Sequence, residues 1–157
     1  MRYSSHSFAW SKQLVQLIST MAPRIRGIVE TCINVSDISR ARRFYEGIFG
    51  FDVIEHDDRF CAFQVGPDVL LLFMQGGSAH PIAVTGGLIP PHNTLGAGHF
   101  AFAILADELE SWRQVLRDRG IQIESEISWE RGGHSIYFRD PAGNLLELVS
   151  PGTWGNY

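Results

Sequence analysis

The chain has 157 residues, 45% hydrophobic and 19% charged, with a formal net charge of −4. That length buries roughly 70% of the unfolded surface as one compact domain, and the composition is that of an ordinary soluble protein. The acidic balance excludes the basic stripe that a nucleic-acid partner needs, no apolar run reaches the length of a membrane span, and two cysteines give no disulfide framework.

The first 23 residues stand apart as an N-terminal extension. Residues 11–21 carry weak helical periodicity through Leu14, Leu17, Ile18 and Met21, with neither the long apolar core nor the small-residue cleavage site of a secretory signal. Met21-Ala-Pro23 is also a sensible start, so the extension is either an upstream reading or an oligomer contact. The domain proper is expected over 24–157, with a cytoplasmic location as the default for a chain without disulfides.

Within that domain a strand, helix, strand, strand, strand pattern runs twice, over about 26–76 and about 98–151, with a linker at about 77–97. A repeated unit signals architecture before anything else. The first copy opens on the strand Glu30-Thr-Cys-Ile-Asn-Val35. Asp37 then reads as a helix N-cap, Ile38, Ala41, Phe44, Tyr45 and Ile48 recur at helical spacing, and Gly50 ends the element. The linker holds the Gly/Pro-rich run 86–98. The second copy opens on His99-Phe-Ala-Phe-Ala-Ile104, enters a helix behind an approximate capping box of Asp107 and Glu110, and stops at Gly120. Leu109, Trp112, Val115 and Leu116 form its buried stripe. Its last hairpin turns at Asp140-Pro-Ala-Gly143, a run of strong turn formers. The fold class expected is α+β, two paired βαβββ modules forming a cupped mixed sheet with helices on the outer face.

Strand alternation assigns the polar residues to faces. Thr31, Ile33 and Val35 share the helix side, which leaves Glu30, Cys32 and Asn34 opposite; Phe100, Phe102 and Ile104 leave His99, Ala101 and Ala103 opposite; Leu146 and Leu148 leave Glu147 opposite. Each of Glu30, His99 and Glu147 alone has an ordinary explanation: a solvated strand-edge acid, a satisfied core histidine, a paired carboxylate. Glu147 is the hardest to dismiss, because carboxylates in apolar strands are almost never buried unpaired.

On these residues the chain resembles the vicinal oxygen chelate superfamily, which includes glyoxalase I, fosfomycin-modifying enzymes, extradiol dioxygenases and bleomycin resistance proteins. The resemblance covers about 26–154 and is most specific at Ser135-Ile-Tyr-Phe-Arg-Asp-Pro-Ala-Gly-Asn-Leu-Leu-Glu147. It implies paired modules around one metal, a homodimer, and Glu30, His99 and Glu147 as the metal ligands. One imidazole and two carboxylates suit Mn, Fe, Zn, Ni or Mg, and three protein ligands leave positions for water or substrate. The chain also departs from the branches it resembles. Val69-Leu-Leu-Leu-Phe73 lacks the acid that glyoxalase I would place there, Glu30 stands where extradiol dioxygenases carry histidine, and the tail after Glu147 lacks the basic residues of fosfomycin-modifying enzymes.

Around the metal ligands, Ser135 and Tyr137 resemble substrate-facing positions, and Tyr137 is expected either to serve the chemistry together with Glu30 or to be a core aromatic with a satisfied hydroxyl. His92 is either an acid–base residue in a lid formed by the linker or an exposed residue of a surface connection. Cys32 lines the cup or fills space beside it. Two functions follow: a metal-dependent enzyme acting on a small oxygen-rich molecule through metal-stabilised oxyanion chemistry, or a metal-free protein that sequesters a drug or metabolite, its pocket built on Trp129, Tyr137 and Trp154.

Overall fold

The computed structural model describes Pro23 and residues 25–157; the expected helical segment 11–21 lies outside the described residues. The first module runs β1 (Glu30–Val35), α1 (Ile38–Phe49), β2 (Asp52–His56), β3 (Phe60–Val65) and β4 (Asp68–Met74). The second runs β7 (His99–Ala103), α2 (Leu109–Asp118), β8 (Ile123–Ser128), β9 (His134–Arg139) and β10 (Leu145–Val149). Between them the linker forms a short hairpin, β5 (Ile82–Val84) and β6 (Gly87–Ile89). Each module is a mixed four-stranded sheet, ordered β1-β4-β3-β2 and β7-β10-β9-β8, whose opening strand pairs parallel to its closing strand at one edge.

The helix boundaries follow from local chemistry. Asp37 accepts a hydrogen bond from the Arg40 N–H at 2.8 Å, and Gly50 closes α1 at φ 66°, a left-handed conformation that costs an L side chain energy. The entry to α2 differs from the expected capping box. A 3-10 turn over Ala106–Glu108 comes first, and it is the Glu108 carboxylate that accepts from the Leu105 N–H, at 3.0 Å, so Glu110 is free to pair with Arg113 and Arg117 on the surface. The cap moved because the chain tightens into a three-residue turn before the helix proper starts.

The helix-side faces of both sheets meet in one apolar core. Ile33, Val35, Phe63, Leu70 and Leu72 from the first module and Ile136, Phe138, Leu146 and Leu148 from the second belong to a single buried cluster. Phe49 of α1 reaches across to Phe102, Trp112 and Phe138, with ring centroids 5.0 to 6.3 Å apart. Buried polar groups pin the same junction. Asp140, at the turn between β9 and β10, accepts the Tyr45 hydroxyl at 3.1 Å and the Asn144 amide at 2.8 Å, while its other oxygen accepts the backbone N–H groups of Ala142 and Asn144. The Asp-Pro-Ala-Gly turn therefore also ties the modules together. With the helix faces buried, the opposite face of each sheet is left to a site. Among the described residues no strand ladder joins the two sheets.

Candidate functional site

Two open faces result. On the second module, Glu147 sits in the middle of its sheet, opposite Ala101 on one side and Tyr137 on the other. It is 6% exposed, so its charge needs partners. Its Oε1 accepts the Ser135 hydroxyl at 2.5 Å and the Tyr137 hydroxyl at 3.0 Å, and the Trp129 indole N–H donates to the Ser135 oxygen at 2.8 Å. Its Oε2 lies 3.3 Å from Nε2 of His99. The small side chains of Ala101 and Ala103 keep this face open, as their parity predicts.

The tautomer of His99 follows from its other nitrogen. Nδ1 is 3.1 Å from the carbonyl oxygen of Leu145, which only accepts, so Nδ1 carries a proton. In the neutral ring Nε2 then presents a lone pair toward the carboxylate oxygen beside it. Two acceptors at that separation repel unless a proton or another cation lies between them. The Tyr137 ring runs nearly parallel to the imidazole, centroids 6.3 Å apart. Burial, opposed by a hydrogen-bonding interaction with Ser135 and reinforced by the hydrogen bond to and charge of Glu147, holds the Tyr137 phenol above its usual range, so it stays protonated and acts as a donor.

The first module's open face is a cleft of about 790 Å³. Glu30, Cys32, Leu71 and Phe73 line it from β1 and β4, as alternation expects, with Glu55, Asp57 and Arg59 also on the lining; Thr31, expected on the helix side, lines it too, at the exposed start of β1. The linker hairpin lies along this cleft, contributing Ile82, Val84 and Ile89, and His92 sets its ring edge against Phe73 at 4.7 Å between centroids. The linker therefore contributes to the lining of the cleft, His92 included. Burial, with the Glu30 charge second, raises the Cys32 thiol, which keeps it neutral.

Of the residues singled out in the sequence, the fold gathers His99, Glu147, Ser135, Tyr137 and Trp129 on one face and Glu30, Cys32 and His92 on the other. It does not bring Glu30 to His99 and Glu147: among the described residues no three His, Cys, Asp or Glu side chains converge on one point. Alternation assigned Glu30 to the open side of its own sheet but carries no information on the distance between two sheets. Ser135 and Tyr137 spend their hydroxyl protons on Glu147, whereas sequence reasoning expected them to face substrate. Trp154 is 68% exposed and lines no part of the cleft. Sequence reasoning missed Glu55, Asp57 and Arg59; the first is recoverable from its register opposite Ala62, whereas nothing local flags the other two.

The twinned βαβββ units, with a histidine and a buried glutamate on the opening and closing strands of the second, define a class. Residues 27–148 match the Glyoxalase/Bleomycin resistance protein/Dioxygenase superfamily, and the chain belongs to it, that is, to the vicinal oxygen chelate proteins. Metallothiol transferase FosB of Staphylococcus saprophyticus is 31% identical over 127 residues, across 79% of this chain and 76% of that protein. Catechol-2,3-dioxygenase of Bacillus subtilis is 28% identical across 80% of this chain, which spans only 44% of that enzyme. Among solved structures, a lactoylglutathione lyase from Agrobacterium tumefaciens superposes with a TM-score of 0.77 at 31% identity, over 85% of this chain and 99% of that one.

Proposed function

We propose that the chain is a divalent-metal-dependent enzyme acting on a small oxygen-rich molecule, with His99 and Glu147 as two ligands and Glu30 of a second copy as the third. The observation that carries this reading is the facing pair His99 Nε2 and Glu147 Oε2, 3.3 Å apart with Nδ1 already committed to a carbonyl. Two donors held ~2.1 Å from one ion are roughly 3.0 to 3.4 Å apart at angles between square and tetrahedral, so the pair suits a shared cation. The donor set admits Mn, Fe, Zn, Ni or Mg.

Such an ion, when bound, supplies a Lewis acid that holds substrate oxygens and offsets the charge of a developing enolate or oxyanion. The chain's own residues prepare that surface. The carbonyl of Leu145 fixes the imidazole so that Nε2 faces the open side, and Ser135 and Tyr137 fix Oε1 of Glu147 so that Oε2 faces it too. The apolar cleft walls and the linker hairpin exclude water from a bound substrate. Cys32, held neutral, lines the cleft rather than attacking from it.

A second copy supplies Glu30 because the site is split by module. Glu30 and His99 open β1 and β7, and each strand is the edge of its own sheet. Ile25, Ile28 and Val29, which lead into β1, are 72 to 92% exposed, an apolar run suited to burial in an isologous dimer. Mixing subunits tests this. Glu30→Gln and His99→Ala homodimers should each lose tight metal binding, whereas a statistical mixture should recover about a quarter of wild-type occupancy, because half the dimers are mixed and each holds one intact site. Recovery of none would sink the shared site. Wild type that takes up no Mn, Fe, Ni or Zn would sink the metal.

The cleft favours a second reading, a metal-free protein that sequesters a small apolar molecule between Leu71, Phe60, Phe73 and the hairpin. Under it, Glu147→Gln leaves ligand affinity unchanged.

A further inference from the structure

The contact chain running from Trp129 to Glu147 assigns a role that neither the fold nor the metal ligands require. Trp129 stands at the end of β8, just past Ser128, in a turn closed by its own backbone: its N–H donates to the Gly133 carbonyl at 2.8 Å and its carbonyl accepts from Gly132 at 2.9 Å. That turn is held from behind. Any side chain at Gly133 would collide with the Thr153 backbone, so the C-terminal segment packs directly against the loop that carries the indole. The indole is therefore aimed rather than adventitious, and its single N–H ends on Ser135 Oγ at 2.8 Å.

An indole N–H only donates, so this bond fixes the direction of the next. With a lone pair of Ser135 taken, the hydroxyl proton of this 1%-exposed side chain points to Oε1 of Glu147. Tyr137 donates to the same oxygen. One carboxylate oxygen thus receives both hydroxyl donors, and the other receives neither and faces His99. A carboxylate free to rotate would offer either oxygen, or both, to a cation.

We propose that Trp129, acting through Ser135, is a positioning residue that locks the Glu147 carboxylate so that it presents one oxygen, Oε2, beside His99 Nε2. This rests on the metal reading for its use and on the hydrogen-bond geometry for its existence. One consequence is that Ser135 serves the ligand as its hydrogen-bond donor, because its single hydroxyl proton is committed to Glu147.

Two measurements on the full-length protein separate the relay from the metal. In the metal-free protein, the Trp129 indole N–H resonance is expected to exchange slowly, to shift when Glu147 is replaced by Gln, and to lose that response in the Ser135→Ala background. No response to Glu147→Gln overturns the relay. For the ligand role, Mn²⁺ binding followed by electron paramagnetic resonance should weaken roughly 10- to 100-fold in Ser135→Ala, the range for lost partners of metal ligands. Trp129→Phe, which keeps an aromatic side chain but removes the N–H donor, should weaken it less, and the double variant no more than Ser135→Ala alone, because the indole acts only through the hydroxyl. Additive losses, or full affinity in Trp129→Phe, overturn the positioning role. A wild type that binds no Mn²⁺ overturns the metal reading and with it that role, while the indole signal still decides the relay.

Discussion

The two modules have the same strand order and the same parallel pairing of opening and closing strands, yet their open faces are built in opposite ways. On the first, an exposed carboxylate, Glu30, stands at the edge of an apolar cleft that a hairpin covers. On the second, a buried carboxylate, Glu147, is held by two hydroxyls, and among the described residues no hairpin covers it. The two acids stand at different points of the repeat, Glu30 at the start of an opening strand and Glu147 in the middle of a closing one; what each acid does is set by the donors around it. One face is an open cleft lined largely by apolar side chains and the other centres on a buried, hydrogen-bonded carboxylate.

The sharpest way to break this contrast is to remove the two acids in turn. Glu147→Ala leaves two hydroxyl donors without their acceptor and should cost about 1 to 3 kcal/mol in the metal-free protein, measured by urea unfolding. Glu30→Ala, at an exposed position, should stay within about 0.5 kcal/mol. Equal costs would mean that Glu30 is anchored as firmly as Glu147. Added Mn²⁺ should raise the wild-type unfolding midpoint and leave that of Glu147→Ala unmoved.

The junction between the modules is the next test. Tyr45→Phe deletes the hydroxyl that bonds Asp140 while keeping the ring against Phe49 and Phe63. A loss of about 1 kcal/mol with unchanged metal affinity is expected; a large fall in affinity would show that the junction also shapes the second face.

The smallest effect concerns pH. Burial pushes the Cys61 thiol up from 9.0 to about 11, with Arg42 opposing and Glu46 adding to the shift. The fold favours the protonated form, so this contribution is whole below pH 9 and is lost as the pH rises through about 11. Stability of Cys61→Ala should therefore decline less steeply than wild type between pH 9 and pH 11, as followed by urea midpoints. Parallel declines would mean that the thiolate is accommodated without cost.

Much of this was legible in the chain because the signals are local. The duplicated pattern, the Asp37 cap, the Gly50 stop, the Asp-Pro-Ala-Gly turn and the face of most strand residues depend on neighbours within a few positions and match the structure, whereas Thr31, expected on the helix side, is exposed and lines the cleft. The α2 cap was misread within the same range, since a 3-10 turn and a helical first turn share the same residue preferences. The Trp129–Ser135 bond was not legible: its partners lie six residues apart across a turn whose glycines give no hint of where an indole aims.

By itself, then, the sequence determined two modules of one kind and the side of each sheet on which Glu30, His99 and Glu147 stand, because side-chain parity and capping are properties of short segments. Only the tertiary structure decided that the helix faces share a core, that the linker covers one open face, and that Glu30 is parted from the pair it was expected to join. Those outcomes depend on how two finished sheets are placed against each other, which is set by apolar burial summed over both modules and not by any segment within either.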